Sequence, residues 1–186
     1  MTRKPDPGGA RRSQPTIQPS GGVAEDVRIR RFHPKHEQAV LELILSIQRQ
    51  EFDIPITAED QPDLRAIPSF YQAGSGDFWV AEQGNDIVGT IGLRDIENGQ
   101  AALRKMFVAE RCRGPSVRVG AKLLESLLVH ARQKHLKSIY LGTTEQFVAA
   151  HRFYEKNGFV PIDVRSLPPT FPLMAVDTRF YRLQLA

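Results

Sequence analysis

Residues 103–159 read LRKMFVAERCRGPSVRVGAKLLESLLVHARQKHLKSIYLGTTEQFVAAHRFYEKNGF, and this stretch decides the fold. A strand-like run at 103–108 enters a loop that holds Arg113-Gly114 and Gly120. A strongly periodic helix follows, with Val119, Leu123, Leu124, Leu127, Leu128 and Ala131 on one face and Lys122, Glu125, Arg132 and Lys134 off it. A second strand is predicted at 138–143. A second helix then carries Tyr154 and stops at Asn157-Gly158. Two strands joined by a helix of this length form a βαβ unit, so the strands run parallel with a right-handed crossover.

That connection sets the loop between the carboxyl end of one strand and the amino end of the long helix. Unpaired backbone N–H groups and the helix dipole favour an anion there, and phosphate is the commonest biological one. The pattern therefore points to a phosphate-bearing ligand.

Outside this unit the chain reads as one domain with a leading tail. Residues 1–26 are rich in Pro, Gly and Ser, carry Arg3, Lys4, Arg11 and Arg12, and hold almost no bulky apolar residue. Such a segment buries too little surface to offset its ordering entropy and is expected to be a disordered basic tail. The domain is expected to span 27–186. A strand is predicted at 27–32 (VRIRRF) and a helix at 36–50, with Ala39, Val40, Leu43, Ile44 and Ile47 at helical spacing. Residues 51–73 are broken by Pro55, Pro62 and Pro68, which predicts a loop with short helical pieces, suited to a substrate lid. Residues 77–82 and 86–96 flank Gln83-Gly84-Asn85 as a hairpin, and Glu97-Asn98-Gly99 turns the chain into the 103–108 strand. Gly89 and Gly92 inside a strand imply a bulge or a close backbone approach. The last strands are predicted at 160–164 and 173–185, a hairpin closing the sheet.

The 186 residues are 41% hydrophobic with a formal net charge of +4, and part of that excess lies in the tail. A basic balance fits nucleic acid, an anionic cofactor or plain solubility equally well. No apolar run reaches the roughly 18 residues of a membrane span. The lone Cys112 excludes an internal disulfide and fits a reducing compartment, so a cytoplasmic location is expected. Cys112 lacks a nearby histidine partner in sequence, which disfavours a nucleophilic role. His33, His36, His130 and His135 do not form a metal-binding pattern, and no metal is expected. On periodicity alone Tyr154 reads either as a core tyrosine in a stripe with Phe147 and Ala150, or as a phenol that donates a proton to a leaving group.

The run VAERCRG…VGAKLLESLLVHA, followed by IYLGTTEQFVAAHRFYEKNGF, resembles the GCN5-related N-acetyltransferase superfamily, most specifically over residues 106–159. The resemblance implies an α/β fold with a mixed, mainly antiparallel seven-stranded sheet. Its two parallel central strands would splay apart, with helices on both faces. It also implies acetyl-coenzyme A as cosubstrate. The pantetheine arm would bond the main chain of Met106, Phe107 and Val108, and the pyrophosphate would rest on the loop from Arg113 and Gly114 to Ala121. Tyr154 would act as general acid toward the coenzyme A thiolate.

The sequence departs from the family pattern in three places. The phosphate signature, Arg/Gln-x-x-Gly-x-Gly/Ala, is matched at its start by Arg113-Gly114 and at its end by Gly120, but Arg118 stands where the middle glycine belongs. Arg118 is therefore expected to add a cationic contact while the amides of Val119, Gly120, Ala121 and Lys122 bind. Phe147 replaces an asparagine that commonly contacts the pantetheine arm, so that contact is lost, moved or supplied by Thr143 or Thr144. The 103–108 strand lacks a carboxylate for general base. Glu51, Asp53, Asp95 and Glu97 are the candidates, as is a water relay, with Glu51 and Asp53 expected at the substrate.

The expected function is acyl transfer to a primary amine, on a small molecule or a peptide, within a ternary complex. Acidic residues in the 51–73 segment, Asp53, Glu59, Asp60 and Asp63, offer one way to attract a cationic amine. A non-catalytic coenzyme A-binding or sensing module is the alternative, and nucleic-acid binding through the tail is a weaker rival. No membrane partner is expected, and the oligomeric state, a homodimer included, is left open.

Overall fold

The computed structural model describes residues 26–114 and 116–186, so the expected tail lies outside the described residues except for Asp26. Seven strands, Arg28–Arg31 (β1), Asp77–Gln83 (β2), Asp86–Asp95 (β3), Gln100–Val108 (β4), Ser138–Thr143 (β5), Val160–Ile162 (β6) and Arg179–Gln184 (β7), build one sheet in the order β1-β2-β3-β4-β5-β7-β6. Neighbours are antiparallel except β4 and β5, which are parallel. The helices are Glu37–Ser46 (α1), Ile67–Phe70 (α2), Val119–Gln133 (α3) and Val148–Lys156 (α4). The mixed sheet with a central parallel pair is the predicted fold.

Each face of the sheet has its own core. On one side α3 buries Val119, Leu123, Leu124, Leu127 and Ala131 against Val88, Ile91, Leu103, Ile139 and Leu141. That is the stripe its periodicity predicts. On the other side Val40 and Ile44 of α1, with Leu64, Ile67 and Tyr71, cover Phe78 and Val80. The two strand glycines serve these two faces. A Cβ on Gly89 would lie 2.9 Å from Val119 Cγ1, and one on Gly92 would lie 3.0 Å from both Phe78 Cδ2 and Tyr71 Cε1. Both positions thus allow the close approach predicted for them, and both border register shifts in β3.

Three local readings need correction. The last strand begins at Arg179 rather than 173. Thr178 N–H donates to Thr143 O (2.8 Å) at the end of β5, so the preceding residues have no strand to pair with. They form a loop in which Leu173, Met174 and Val176 are exposed. Phe147 is not part of a buried helical stripe with Tyr154. It is the N-cap of α4 and its ring packs 4.3 Å from that of Phe52, while His151 and Tyr154 are the buried residues of the helix. The helix predicted to reach Gln50 ends at Ser46 and loosens into a π-turn over Ile47–Glu51.

Gly92 marks where β3 is thinned for two buried aromatic rings that cannot move aside. Gly92→Ala is expected to destabilise the fold by about 1–3 kcal/mol through overpacking. Urea denaturation checks this by a lower midpoint at unchanged slope.

Candidate active site

Parallel pairing between β4 and β5 stops after Gln100↔Ser138, Ala101↔Ile139 and Ala102↔Tyr140. β4 runs on to Val108 and β5 to Thr143 without each other, so a wedge opens toward their carboxyl ends. A bulge lies at the point of divergence. Thr90 opposes Phe107 and Gly92 opposes Arg104, so Ile91 alone faces both Lys105 and Met106. Lys105 takes a left-handed backbone (φ 53°), and the Thr90 hydroxyl donates to its carbonyl at 2.7 Å. A bulge of this kind bends its strand, here away from β5.

Beyond the bulge, Ala109 N–H donates to Val88 O at 2.9 Å, so the adjacent backbone groups of Val108 turn the other way, toward the wedge. Val108 O accepts there from Arg113 Nε at 2.8 Å. The same guanidinium grips Glu51 with Nη1 and Nη2, at 2.6 and 2.9 Å. Two residues predicted for different ligands are thus tied to each other at the wedge mouth. Asp53 is nearby in sequence, exposed, with a left-handed backbone (φ 51°).

The start of α3 closes one side. Arg118, its N-cap, takes the left-handed conformation (φ 55°) in which glycine is at ease, and it is exposed with no ion pair among the described residues. Its N–H donates to Gly114 O (3.3 Å) and its carbonyl accepts from Lys122 (3.0 Å). The N–H groups of Val119, Gly120 and Ala121 belong to the first turn, where a helix leaves donors without intrahelical partners. Gly114 has φ 100° and open space around its Cα. A Cβ on Gly120 would lie 3.4 Å from Met106 Cε and 3.6 Å from Phe153 Cε2. The start of α3, strand β4 and helix α4 therefore converge there.

Tyr154 packs on the half of β5 that β4 abandons. Its ring lies 6.1 Å from that of Tyr181, which opposes Leu141, and 5.6 Å from Phe159. No hydrogen-bond partner for its hydroxyl exists among the described residues, and burial pushes its pKa well above the ordinary tyrosine value. The phenol is held neutral, with its proton in place. Thr144 sits in the loop before α4, its hydroxyl accepting from Gln146 N–H at 3.2 Å and its carbonyl 2.8 Å from His151 Nε2.

On the opposite face is a buried polar network that the sequence reading did not find. The Lys105 ammonium donates to Gln61 Oε1 (2.6 Å) and lies 3.3 Å from Asp63 Oδ2, which also accepts from the Tyr71 hydroxyl at 2.6 Å. Gln61 continues to Gln48 at 3.0 Å. Burial lowers the Lys105 pKa, with Asp63 opposing the shift, and burial with Asp63 raises that of Tyr71. The one visible signal was a lysine within an otherwise apolar strand end, KMFV. Its partner lay in a proline-broken segment whose conformation sequence does not fix.

Other candidates fall elsewhere. Asp95 accepts from Ser75 and Glu97 N–H, both at 2.7 Å, at the closed end of the β4–β5 pair, which removes Asp95 and Glu97 from the wedge. Asp60 caps Thr57 and Asp63 is buried under Lys105, so neither offers a free charge to a cationic amine. Cys112 is buried with its thiol toward Gln83 (3.5 Å). No group of three potential metal ligands, and no helix long and apolar enough to cross a membrane, occurs among the described residues. A separate groove of about 660 Å3 lies between α3 and the β1–β2 edge, lined by Trp79 and His130, and reaches the first turn of α3 at Lys122.

The sequence model of the acetyltransferase (GNAT) family matches residues 41–159. A GNAT-family acetyltransferase structure from Staphylococcus aureus Mu50 is 40% identical, covers 86% of this chain and 99% of its own, and superposes with a TM-score of 0.82. An acetyltransferase structure from Streptococcus agalactiae 2603 gives 32%, 87%, 99% and 0.82 for the same quantities. Among curated proteins, N-acetylaspartate synthetase of Xenopus tropicalis is 35% identical over 128 residues, which cover 66% of this chain and 46% of that protein. The chain thus spans under half the length of the curated relatives it first matches.

Asp63→Asn would leave the Lys105 ammonium buried without its counter-charge, at a cost of about 3–5 kcal/mol near neutral pH. The Lys105 pKa, already lowered, falls further in the variant, so the unfolded chain binds more protons above it and stability rises with pH. The deficit relative to the unchanged protein should therefore shrink as pH increases from 7 toward 10. Urea melts across that range measure it.

Proposed function

The chain belongs to the GNAT acetyltransferase family, and from that premise we propose that residues 27–186 form a domain that transfers an acyl group, acetyl first among them, from coenzyme A to a primary amine. The observation that carries the reading is the wedge with Tyr154 at its wall and the start of α3 at its mouth. An amide-bearing arm needs strand-edge partners, and the edge from Met106 to Val108 that β5 leaves uncovered offers them, chiefly at Val108, since the Phe107 backbone groups face Thr90 of β3. A diphosphate needs convergent N–H groups, and those of Val119, Gly120 and Ala121 begin a helix beside Arg113, Gly114 and Arg118, which forms no ion pair among the described residues, whereas the Lys122 N–H is already taken by Arg118 O (3.0 Å). These features fit the cosubstrate, with Arg113 leaving Val108 O if the arm takes that acceptor.

In the transfer, the amine nitrogen attacks the thioester carbonyl, the C–N bond forms, and the C–S bond breaks with the electron pair passing to sulfur. Alignment of the two reactants supplies much of the acceleration. Tyr154 donates its hydroxyl hydrogen to the departing thiolate. A phenol raised above its usual value is a weaker acid than a thiol, whose reference pKa is about 8.5. Stabilisation by a hydrogen bond is thus the larger part of its role, and full proton transfer follows only as the site equilibrates. Glu51 is the acidic residue at the wedge mouth and receives the amine proton, directly or through water, once Arg113 turns to phosphate. Thr144 lies at the end of β5, within reach of the arm's far side.

Thioester loss measured with acetyl-coenzyme A and a panel of amines tests the proposal, and tight binding without turnover for any amine would favour the non-catalytic module instead. Tyr154→Phe is expected to lower kcat about a hundredfold while leaving the KM for acetyl-coenzyme A nearly unchanged. Gly120→Ala separates fold from ligand. The site has room for a methyl in the free protein, so helix propensity predicts a gain of about 0.5–1 kcal/mol in stability. The same methyl obstructs approach of a diphosphate to the first-turn amides, and calorimetry should find weaker coenzyme A binding.

A further inference from the structure

The face of β4 turned toward α1 and α2 carries a charge pattern that acyl transfer alone does not require. Arg104 lies just past Ala102, the last β4 residue paired with β5. Its cross-strand neighbour is Gly92, bordered by the Tyr71 and Phe78 rings. Arg94 opposes Ala102, and its guanidinium sits 4.2 Å over the Phe70 ring. The two arginines are therefore diagonal neighbours on one face of the sheet, both half-buried, where the wedge opens.

Arg104 Nη2 touches only Met174 Sδ at 3.3 Å, and among the described residues neither guanidinium forms an ion pair. The carboxylates on this side are otherwise engaged. Asp63 holds Lys105 and Tyr71, and Asp177 accepts from Met174 N–H at 3.3 Å, with burial favouring its neutral form against the pull of Arg104. A planar donor fork left partly desolvated and unpaired is suited to an incoming carboxylate, which it can bind in bidentate fashion. A cationic acceptor would instead meet Arg94, Arg104 and Lys105 together.

We propose that Arg104 and Arg94 form the acceptor-recognition site, and that the acceptor is a small primary amine bearing carboxylate, most completely an amino dicarboxylic acid with one carboxylate on each guanidinium. This rests on the acyl-transfer reading for its chemistry, but its binding step can be tested alone. Anchoring both carboxylates on the arginine face leaves the amine as the group free to enter the wedge.

The test uses the full chain saturated with coenzyme A. Calorimetric titration with L-aspartate and L-glutamate should give saturable binding, and L-asparagine, L-lysine and spermidine should bind far more weakly. Initial rates with acetyl-coenzyme A should follow the same order. Arg104→Ala should raise the acceptor KM on the order of tenfold to a hundredfold with an unchanged KM for acetyl-coenzyme A, and Arg104→Lys should recover part of the loss. Arg94→Gln should act in the same direction, and thermal melts of each variant check that the fold persists. Absence of dicarboxylate binding, preference for neutral or cationic amines, or an acceptor KM untouched by Arg104→Ala would each overturn the assignment. Turnover confined to non-acidic amines sinks this assignment and leaves acyl transfer standing. Arg104-dependent dicarboxylate binding without thioester loss does the reverse.

Discussion

The early end of the β4–β5 ladder is the constraint on which the rest of the site depends. The two strands begin as ordinary parallel neighbours and separate after Ala102↔Tyr140 because β4 carries an extra residue opposite Ile91. Holding a non-glycine residue in left-handed backbone costs about 1–2 kcal/mol, so Lys105 must be kept there by its surroundings. The Thr90 hydroxyl fixes its carbonyl, and Asp63 and Gln61 fix its ammonium. A buried ion pair adds little net stability over an apolar pair, yet breaking one is costly. Its physical contribution here is direction, since the side chain has a single place to go and carries the bulged backbone with it.

Splaying gives the wedge two dissimilar walls. Toward α3 the lining is apolar, with Met106, Val108 and Tyr154 joined to the main core and the first-turn amides of α3 at its rim. Toward α1 and α2 the floor is aromatic, from Phe70, Tyr71 and Phe78, and the groups above it are charged. A thioester tail and a polar amine have opposite demands on solvation. A gap bounded by these two surfaces can receive one from each side and bring them together at the bulge, where neither strand edge is satisfied by the other.

The parts legible in sequence were those written in short-range pattern. The α3 stripe, the three-strand meander, the Glu97-Asn98-Gly99 turn and the glycines facing Val119 and Tyr71 follow from periodicity and from backbone demands that few residues meet. The bulge was half visible, because Gly89 and Gly92 announced irregular pairing in β3 while the residue that bulges, Lys105, is on the partner strand. The Lys105–Asp63–Tyr71 network and the Arg113–Glu51 grip were not legible. Each joins residues far apart in the chain, and one partner always comes from the proline-broken segment or the turn before it, whose path is set by packing rather than propensity. The late start of β7 has a similar cause. Residues 173–178 have strand-like composition, but β5 ends at Thr143 and leaves them nothing to pair with.

The distribution of paired and unpaired cations joins these observations. Lys105 and Arg113 each have a carboxylate, and each also holds a backbone or side-chain group that shapes the wedge. Arg118, Arg94 and Arg104 form no ion pair among the described residues, and they stand at the start of α3 and on the sheet face turned toward α1 and α2. An anion that binds an unpaired guanidinium gains its attraction without first separating another pair, whereas one that binds Arg113 must displace Glu51. Around the wedge the positive charge therefore divides by position: Lys105 and Arg113, with carboxylate partners, hold its walls, and Arg118, Arg94 and Arg104, with no ion pair among the described residues, stand where an incoming anion would meet them.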